Sequence, residues 1–499
     1  MNSRNGSYGQ RLAAGALAMA LGQATALAAD CAQLAQPHAL GAAEVRSARA
    51  VAADAASEAP AYCEVTAVVK PVEGSEIVTV VRLPERWNGR MLGLGGGGWA
   101  GNLLLATALP GLKRGYATAQ TDGGHPSPNG IDASWTKNPV AVTDFSHRAI
   151  HEMTVLGKQV VKRHYGRDAN RNYFQGCSTG GRMGMMESQR YPADYDGIVA
   201  GAPVYTLLTQ TSPVVRRQIF IAPGAGFSAM ELERVNAASL AACDGLDGVK
   251  DGVVSDPQRC TFDPAVLRCK AGETKECLSE AQVDSLRKAY QTTKGPDGLV
   301  GNYGMTRGSE AGWARFVAVD QSAALTPMNG GLGDLIPLIF SNQKYDAATF
   351  DPRKQQAAVH KTPFAAEYEA TSTDLGPFVQ RGGKLLLWHG FDDPGPSAFA
   401  TIDYYEKAVK ANGAANLQLF LAPGVYHCAG GPGPDDFDLL TAIENWVEKG
   451  QKPERIVARN RRTSETRPLC AWPGLPQFDG KGSSADEHNF SCRASSAKR

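Results

Sequence analysis

The sequence lacks any block of basic residues, and its charges almost cancel. Lys and Arg together number 51 and Asp and Glu together number 50, which gives a formal net charge of +1. A protein that binds nucleic acid normally carries a clustered basic patch. We therefore expect no nucleic-acid partner.

Long hydrophobic runs are also absent. No stretch reaches the roughly 18 apolar residues that a membrane-spanning helix needs. Residues 1–28 have a positive start, a short apolar run and a small-residue site at Ala26-Leu27-Ala28. This pattern is typical of a cleaved secretory signal, and the alternative is a buried first helix. We expect a secreted or periplasmic protein without a membrane span.

The ten cysteines include no Cys-x-x-Cys pair, so a zinc ribbon is not expected. An even number of cysteines in an exported protein predicts five disulfides. The sequence does not fix their connectivity. Pairing of chain neighbours would join Cys31 to Cys63, Cys243 to Cys260, Cys269 to Cys277 and Cys470 to Cys492, which leaves Cys177 with Cys428.

Strand and helix patterns alternate along much of the chain. Strands are predicted at 75–84, 91–94, 116–121, 173–175, 384–388 and 417–421, and helices at 146–165, 181–189, 397–409 and 437–449. Such alternation predicts an α/β fold with a mostly parallel sheet covered on both faces. The stretch 205–370 is richer in loops and holds four of the cysteines. We interpret it as an inserted lid.

The frame Gly176-Cys177-Ser178-Thr179-Gly180 lies between a predicted strand and a predicted helix. This is the setting of a nucleophile elbow, although chance is an alternative in a chain with 55 glycines. Asp393 and His427 follow later strands, and the order Ser, Asp, His is that of the α/β-hydrolase fold. Ser178 would be the nucleophile, His427 the base and Asp393 the orienting acid, with Asp392 as the rival.

This interpretation divides the chain into four segments. A signal peptide occupies 1–28, the first part of an α/β-hydrolase core 29–204, the lid 205–370 and the second part of the core 371–499. His389, at the end of a predicted strand, either shapes the pocket or has only a structural role.

Two groups could stabilise an oxyanion. The residue after the nucleophile, Thr179, would supply one backbone N–H, and the glycine run Gly95–Gly98 would supply another. A flexible turn or a phosphate loop is the alternative for the glycine run. A phosphate loop should continue into Gly-Lys-Ser/Thr, whereas this one continues into Trp99-Ala100-Gly101.

Cys177 and Cys428 directly neighbour the proposed nucleophile and base. If Ser178 bonds to His427, the flanking cysteines must lie close together, and a disulfide there would join the two loops. A free buried Cys177 is the alternative.

The segment Cys243–Val254, CDGLDGVKDGVV, carries three closely spaced carboxylates. Asp244, Asp247 and Asp251 would repel one another on a tight loop unless a cation holds them, and calcium prefers oxygen ligands. The backbone carbonyls of Val249 and Val253 could complete the site. The spacing differs from that of an EF-hand, and a solvated series of Asp-Gly turns is the alternative.

Several motifs together resemble the tannase and feruloyl esterase family. They are Gly-Cys-Ser-Thr-Gly-Gly-Arg at 176–182, Tyr-Asp-Gly-Ile-Val-Ala-Gly-Ala-Pro at 195–203, Thr-Asp-Gly-Gly-His at 121–125, Cys-Asp-x-x-Asp-Gly-x-x-Asp-Gly at 243–252, His-Gly-x-x-Asp at 389–393 and His-Cys-x-Gly-Gly-Pro at 427–432. The resemblance implies the triad Ser178, Asp393 and His427. It also implies oxyanion donors at Gly98 and Thr179 and a Cys177–Cys428 bridge.

The resemblance further implies a structural calcium in the lid, held by Asp244, Asp247, Val249, Asp251 and Val253. The implied substrate is a small ester of an aromatic acid, of plant or polymer origin. We expect a feruloyl, hydroxycinnamoyl or galloyl esterase. The alternative within the family is a mono(2-hydroxyethyl) terephthalate hydrolase, in which a lid arginine meets the free carboxylate.

No lid arginine can be assigned to that role from the sequence, although Arg307, Arg315 and Arg353 are candidates. Two readings outside the family's chemistry compete with the esterase. They are a serine peptidase on the same core and a non-catalytic, calcium-dependent extracellular binding protein.

Overall fold

The computed structural model describes residues 31–36, 40, 43–101, 103–127, 132–273, 275–341 and 344–495. The predicted signal peptide at 1–28 lies outside these residues. The described strands are β1 Glu44–Val51, β2 Tyr62–Val69, β3 Ile77–Pro84, β4 Arg90–Leu94, β5 Ala117–Thr121, β6 Arg171–Cys177, β7 Gly197–Gly201, β8 Thr293–Lys294, β9 Val300–Asn302, β10 Lys384–Gly390, β11 Leu417–Ala422, β12 Asp436–Phe437, β13 Arg455–Arg459, β14 Thr466–Cys470, β15 Gly474–Phe478 and β16 Phe490–Ala494.

The described α-helices are α1 Leu109–Lys113, α2 Pro139–Thr143, α3 Ala149–Tyr165, α4 Thr179–Arg190, α5 Leu208–Phe220, α6 Ala229–Cys243, α7 Glu280–Ala289, α8 Ile336–Phe340, α9 Pro352–Val359, α10 Pro363–Tyr368, α11 Gly376–Gln380, α12 Ala398–Asn412 and α13 Leu439–Lys449. A π-helical turn, Asp144–Arg148, leads into α3. Short 3₁₀ helices cover Leu105–Ala108, Ser134–Lys137, Asp244–Asp247, Pro264–Leu267, Glu310–Arg315, Gly333–Leu335 and Glu487–Asn489. None of the described helices is both long and apolar enough to cross a bilayer.

Nine of the described strands form one sheet in the order β1-β2-β3-β5-β4-β6-β7-β10-β11. The pairs from β5 to β11 are parallel, while β1, β2 and β3 add an antiparallel edge. The predicted α/β fold with a mostly parallel sheet is confirmed. Because parallel strands end at the same edge of a sheet, the loops after β6, β10 and β11 are neighbours.

Both faces of the parallel strands are buried. In β10, Leu385 and Leu387 contribute to the apolar core on one face, whereas Leu386 and Trp388 contribute to the core on the other. Helices α3, α4 and α12 cover the first face, and α1 and α13 cover the second. Each strand residue therefore points into one of two cores, as expected of a sheet covered by helices on both sides.

The chain between β7 and β10 contributes no described strand to the main sheet. It contains an apolar core of its own, in which Phe220, Phe227, Leu286 and Trp313 are buried. This supports the interpretation of an insertion, while the predicted lid bounds of 205–370 stay a prediction.

Candidate active site

Ser178 lies between the end of β6 and the start of α4, in a backbone conformation that L-residues seldom adopt. Its φ is 62° and its ψ is −124°. A Cβ built on Gly176 would lie 2.5 Å from the backbone of Gly180, so the turn leaves no room for a larger residue at position 176. The glycines of the frame are thus explained by a sharp strand-to-helix turn.

The turn aims the Ser178 hydroxyl at the loop that follows β11. The Nε2 atom of His427 lies 2.8 Å from Ser178 Oγ. Its Nδ1 atom lies 2.6 Å from Asp393 Oδ2. The three residues come from loops after β6, β10 and β11, and they form a continuous hydrogen-bonded chain from serine to carboxylate.

Asp393 is held from several directions. Its Oδ1 accepts a hydrogen bond of 2.8 Å from the Gly395 N–H, and Nε2 of the fully buried His389 lies 3.2 Å from Oδ2. Burial alone would raise its pKa, but the charge of His427 and hydrogen bonds from His389 and His427 lower the pKa of Asp393 to about 2. The carboxylate is therefore ionised at neutral pH, as an orienting acid requires.

Asp392, the rival acid, is fully buried, and neither carboxylate oxygen has a hydrogen-bond partner in the part of the chain that the structure describes. Burial raises its pKa well above the ordinary range. His427 thus bonds to Asp393 and not to Asp392. The close approach of the two loops depends on Gly390, since a Cβ there would lie 2.3 Å from the Val425 carbonyl oxygen.

Gly98 and Thr179 both line the same cavity as Ser178 and His427. The Thr179 hydroxyl donates to the Gly98 carbonyl and so ties the glycine run to the start of α4. Gly98 has a φ of 57°. The structure therefore brings the two predicted oxyanion residues to the nucleophile.

Five disulfides are formed, and no described cysteine is free. Cys177 pairs with Cys428 across 251 positions, with 6.0 Å between the Cα atoms. The other pairs are Cys31–Cys63, Cys243–Cys260, Cys269–Cys277 and Cys470–Cys492. The predicted pairing of chain neighbours is what the structure contains.

A cavity of about 290 Å³ opens on Ser178 and His427. Its wall is mostly apolar and includes the aromatic rings of Trp99, Phe316 and Tyr368. The described residues that line it are Gly98, Trp99, Ser178, Thr179, Val204, Thr209, Gln210, Pro213, Phe316, Pro327, Met328, Tyr368, Gly395, Pro396 and His427. None of these carries a formal positive charge apart from a protonated His427.

The three candidate arginines all have other partners. Arg353 pairs with Asp351, Arg307 donates to the Phe262 carbonyl and lies over the Tyr290 ring, and Arg315 lies over the Tyr426 ring. None of the three lines the described cavity wall.

Two supporting residues were missed in the sequence. Arg216 is buried and donates to the carbonyls of Pro394 and Gly395 at 2.8 and 2.9 Å, which fixes the loop that carries Asp393. Phe316 packs edge-on against the His427 ring, with 5.1 Å between centroids. No motif marks either residue, because each acts across a long separation in the chain.

In the aspartate loop of 244–251, Asp244 and Asp247 are buried, whereas Gly245, Gly248 and Lys250 are exposed. Asp244 accepts from the N–H groups of Asp251 and Gly252, Asp247 accepts from Ser255, and Asp251 pairs with Arg467. The second oxygen of Asp251 is buried and has no hydrogen-bond partner among the described residues. Burial, together with the charges of Asp251 and Asp244, raises the pKa of Asp247 to about 6.

Comparison with known proteins gives a consistent result. Residues 63–493 match the profile described as "Tannase and feruloyl esterase". The chain is 35% identical to the mono(2-hydroxyethyl) terephthalate hydrolase of Piscinibacter sakaiensis, over 92% of this chain and 89% of that protein. It is 33% identical to a probable feruloyl esterase of Arthroderma benhamiae, over 82% of this chain and 81% of that protein. Its structure resembles that of feruloyl esterase B from Aspergillus oryzae with a TM-score of 0.83 and 27% identity, covering 94% of this chain and 100% of that chain.

Proposed function

Since the chain belongs to the tannase and feruloyl esterase family of carboxylic ester hydrolases, we propose that it cleaves esters of aromatic acids with Ser178 as the nucleophile. The acyl group of these esters carries no charge. Feruloyl, other hydroxycinnamoyl and galloyl esters belong to this class. The observation that carries the proposal is the hydrogen-bonded chain from Ser178 through His427 to Asp393 at the mouth of an apolar cavity.

In the proposed reaction, Ser178 Oγ attacks the ester carbonyl while His427 Nε2 takes the hydroxyl proton. Asp393 holds the imidazole through Nδ1 and stabilises its positive charge. The backbone N–H groups of Gly98 and Thr179 would receive the oxyanion. His427 then returns the proton to the leaving alcohol, and a water molecule cleaves the acyl-enzyme by the same steps.

The cavity wall favours an uncharged acyl group. A free carboxylate that enters an apolar cavity loses its hydration, and this cost is offset only by a cation or several hydrogen bonds. No arginine or lysine is among the described residues that line the cavity. An aromatic ring without a charge could instead pack against Trp99, Tyr368 and Phe316.

The second candidate is hydrolysis of mono(2-hydroxyethyl) terephthalate. It is favoured by the 35% identity to the Piscinibacter sakaiensis enzyme. The identity to a probable feruloyl esterase is 33%, and this small difference does not separate the two candidate substrates. Their ranking therefore rests on the cavity wall.

We also propose a structural calcium in the aspartate loop. Asp244, Asp247 and Asp251, with the carbonyls of Val249 and Val253, would supply oxygen ligands. The unpartnered oxygen of Asp251 and the raised pKa of Asp247 support this assignment, since a cation would satisfy both. The three carboxylates do not all present oxygens within 4.8 Å of one another, so calcium would have to draw them together.

We propose that the protein acts outside the cytoplasm, secreted or in the periplasm. Five disulfides support an oxidising compartment. The predicted signal at 1–28 agrees with this location.

The test is hydrolysis of methyl ferulate, methyl gallate and mono(2-hydroxyethyl) terephthalate by the wild type, Ser178→Ala and Ser188→Ala. Ser188 lies on α4, the helix that begins directly after Ser178, and its hydroxyl donates to the Met185 carbonyl, so it serves as the matched control. We expect Ser178→Ala to lower kcat by at least about 10³-fold, with Ser188→Ala close to the wild type.

We also expect kcat/KM to be at least about tenfold higher on methyl ferulate or methyl gallate than on the terephthalate ester, since rejecting a charged group from an apolar site is worth more than 1.4 kcal/mol. A preference for the terephthalate ester would establish the second candidate. Full activity of Ser178→Ala would refute the proposed nucleophile.

A further inference from the structure

A second cluster of ionisable groups lies where α3, α4 and the loop before β7 meet, and none of its residues lines the cavity. It consists of His151 on α3, Glu187 near the end of α4 and Asp194 in the loop before β7. Glu187 is nine residues after Ser178, which places it roughly 13 Å along the helix from the nucleophile. In the part of the chain that the structure describes, these are the three groups whose ligand atoms all lie within 4.8 Å of one another.

Glu187 is the unusual member. Its side chain is fully buried, and among the described residues no group donates a hydrogen bond to either carboxylate oxygen. Asp194, by contrast, has two partners, since Lys158 donates to Oδ1 at 3.1 Å and His151 Nδ1 lies 2.6 Å from Oδ2. When His151 is neutral, as a metal ligand must be, Lys158 balances one carboxylate and the second carboxylate is left without a counter-charge.

Two adjacent buried carboxylates must share either a proton or a cation, because both cannot ionise unaided. Burial, and then the charge of Asp194, raises the pKa of Glu187 well above its ordinary range. Burial alone would raise the pKa of Asp194, but the bond to His151 and the charge of Lys158 lower it. The remaining question is which positive species occupies the gap.

We propose that His151, Glu187 and Asp194 form a binding site for a divalent transition metal such as zinc. One imidazole and two carboxylates form a ligand set that zinc accepts, whereas calcium and magnesium prefer oxygen alone. Neighbouring ligand atoms of tetrahedral zinc lie roughly 3.3 Å apart at bond lengths of about 2.0–2.1 Å. At present His151 Nδ1 and Asp194 Oδ2 lie 2.6 Å apart, and all three ligand atoms lie within 4.8 Å of one another, so the separations must change by up to about 1.5 Å to reach this value.

The surroundings fit a site that an ion can reach. The side chain of His151 is 29% exposed, which provides access from solvent, while that of Asp194 is 10% exposed. The Tyr191 ring stacks on the His151 ring at 3.9 Å and holds its orientation, and the Tyr191 hydroxyl lies 2.7 Å from His147 Nδ1. A bound ion would join α3 to the C-terminal end of α4, the helix that begins directly after Ser178.

The test is zinc uptake by the purified protein in excess calcium, so that the aspartate loop is already supplied. Metal content after desalting and the Tm with and without zinc would be measured for the wild type, Glu187→Gln, His151→Gln and His360→Gln. His360 is the matched control, because its Nδ1 lies 2.8 Å from Glu369 with nearly the same exposure, 26% and 8%.

We expect one zinc per wild-type chain and a Tm increase of about 3 °C at a hundredfold excess of zinc over Kd. Glu187→Gln and His151→Gln should lose both effects, and His360→Gln should keep both. If Glu187→Gln does not fold, the partly exposed His151→Gln still decides the question.

Two results would overturn the proposal. The first is a wild type that takes up no zinc; a Glu187→Gln variant whose Tm is not lowered would then indicate that a shared proton joins the carboxylates. The second is zinc uptake that persists in both variants, which would place the ion elsewhere.

Discussion

The disulfide between Cys177 and Cys428 joins the residue before Ser178, the proposed nucleophile, to the residue after His427, the proposed base. Beside this disulfide, His427 Nε2 lies 2.8 Å from Ser178 Oγ. We predict that replacing both cysteines by alanine lowers the catalytic rate as well as the stability. Without the covalent link, the loops after β6 and β11 can move independently.

The two effects differ in size and in cause. In the chain-entropy treatment, a link across 251 positions stabilises the folded state by about 5 kcal/mol, because it restricts the unfolded chain. The kinetic effect depends instead on alignment, where an error of about 1 Å can cost about 100-fold in rate. We expect kcat to fall by about 10- to 100-fold at a temperature where the variant is still folded.

The control is the alanine pair at Cys470 and Cys492. This disulfide spans 22 positions, joins β14 to β16 and is worth about 3 kcal/mol by the same reasoning. Neither cysteine is among the described residues that line the cavity, so removal of this disulfide should destabilise the protein and leave kcat close to the wild type. Urea unfolding would give the stabilities, and initial rates on one ester would give kcat.

The reasoning would be refuted by a Cys177→Ala/Cys428→Ala enzyme that is destabilised as expected yet keeps the kcat of the Cys470→Ala/Cys492→Ala control. The hydrogen bonds of the triad alone would then align the two loops.

Two further predictions follow from the carboxylates. Folding lowers the pKa of Asp393 from an ordinary value of 3.8 to about 2. Its ionised form therefore stabilises the fold above about pH 4. This contribution of about 2 kcal/mol is lost as the pH falls from about 4 to about 2. Between pH 5 and pH 2.5, the unfolding free energy of the wild type should therefore drop by about 1.5 kcal/mol more than that of Asp393→Asn; equal drops would contradict the assignment. The pKa of Asp247 is raised from 3.8 to about 6, so metal-free stability falls as the pH rises through this range. At pH 8 in chelator, Asp247→Asn should match or exceed the wild type in Tm, whereas calcium should raise the Tm of the wild type alone; an equal calcium effect on both would exclude the proposed site.

The sequence predicted the central strands well, because short apolar runs between glycine-rich turns are typical of buried parallel strands. The strands around Phe174, Leu386 and Leu419 all lie within a few residues of their predicted bounds. In the antiparallel edge, β3 was predicted within 75–84, whereas β1 and β2 were not. Most residues of β1 are at least partly exposed, so the segment carries little hydrophobic pattern that could identify it.

The chemical residues of the candidate site were also predictable, since each follows a strand within a recognisable motif. Their supporting contacts were not. Arg216 bonds to carbonyls 178 and 179 positions away, and His389 meets Asp393 only because a tight turn follows β10. Such contacts depend on how distant segments pack, and one sequence contains no local signal for them.

The Cys177–Cys428 disulfide also has a consequence for a protein exposed to proteases. It encloses every residue from Ser178 to His427, including the whole insertion. A single cut in that span leaves Ser178 on one fragment and His427 on the other, but the fragments stay covalently joined. A nicked molecule therefore keeps its mass and both of these proposed catalytic residues until the disulfide is reduced.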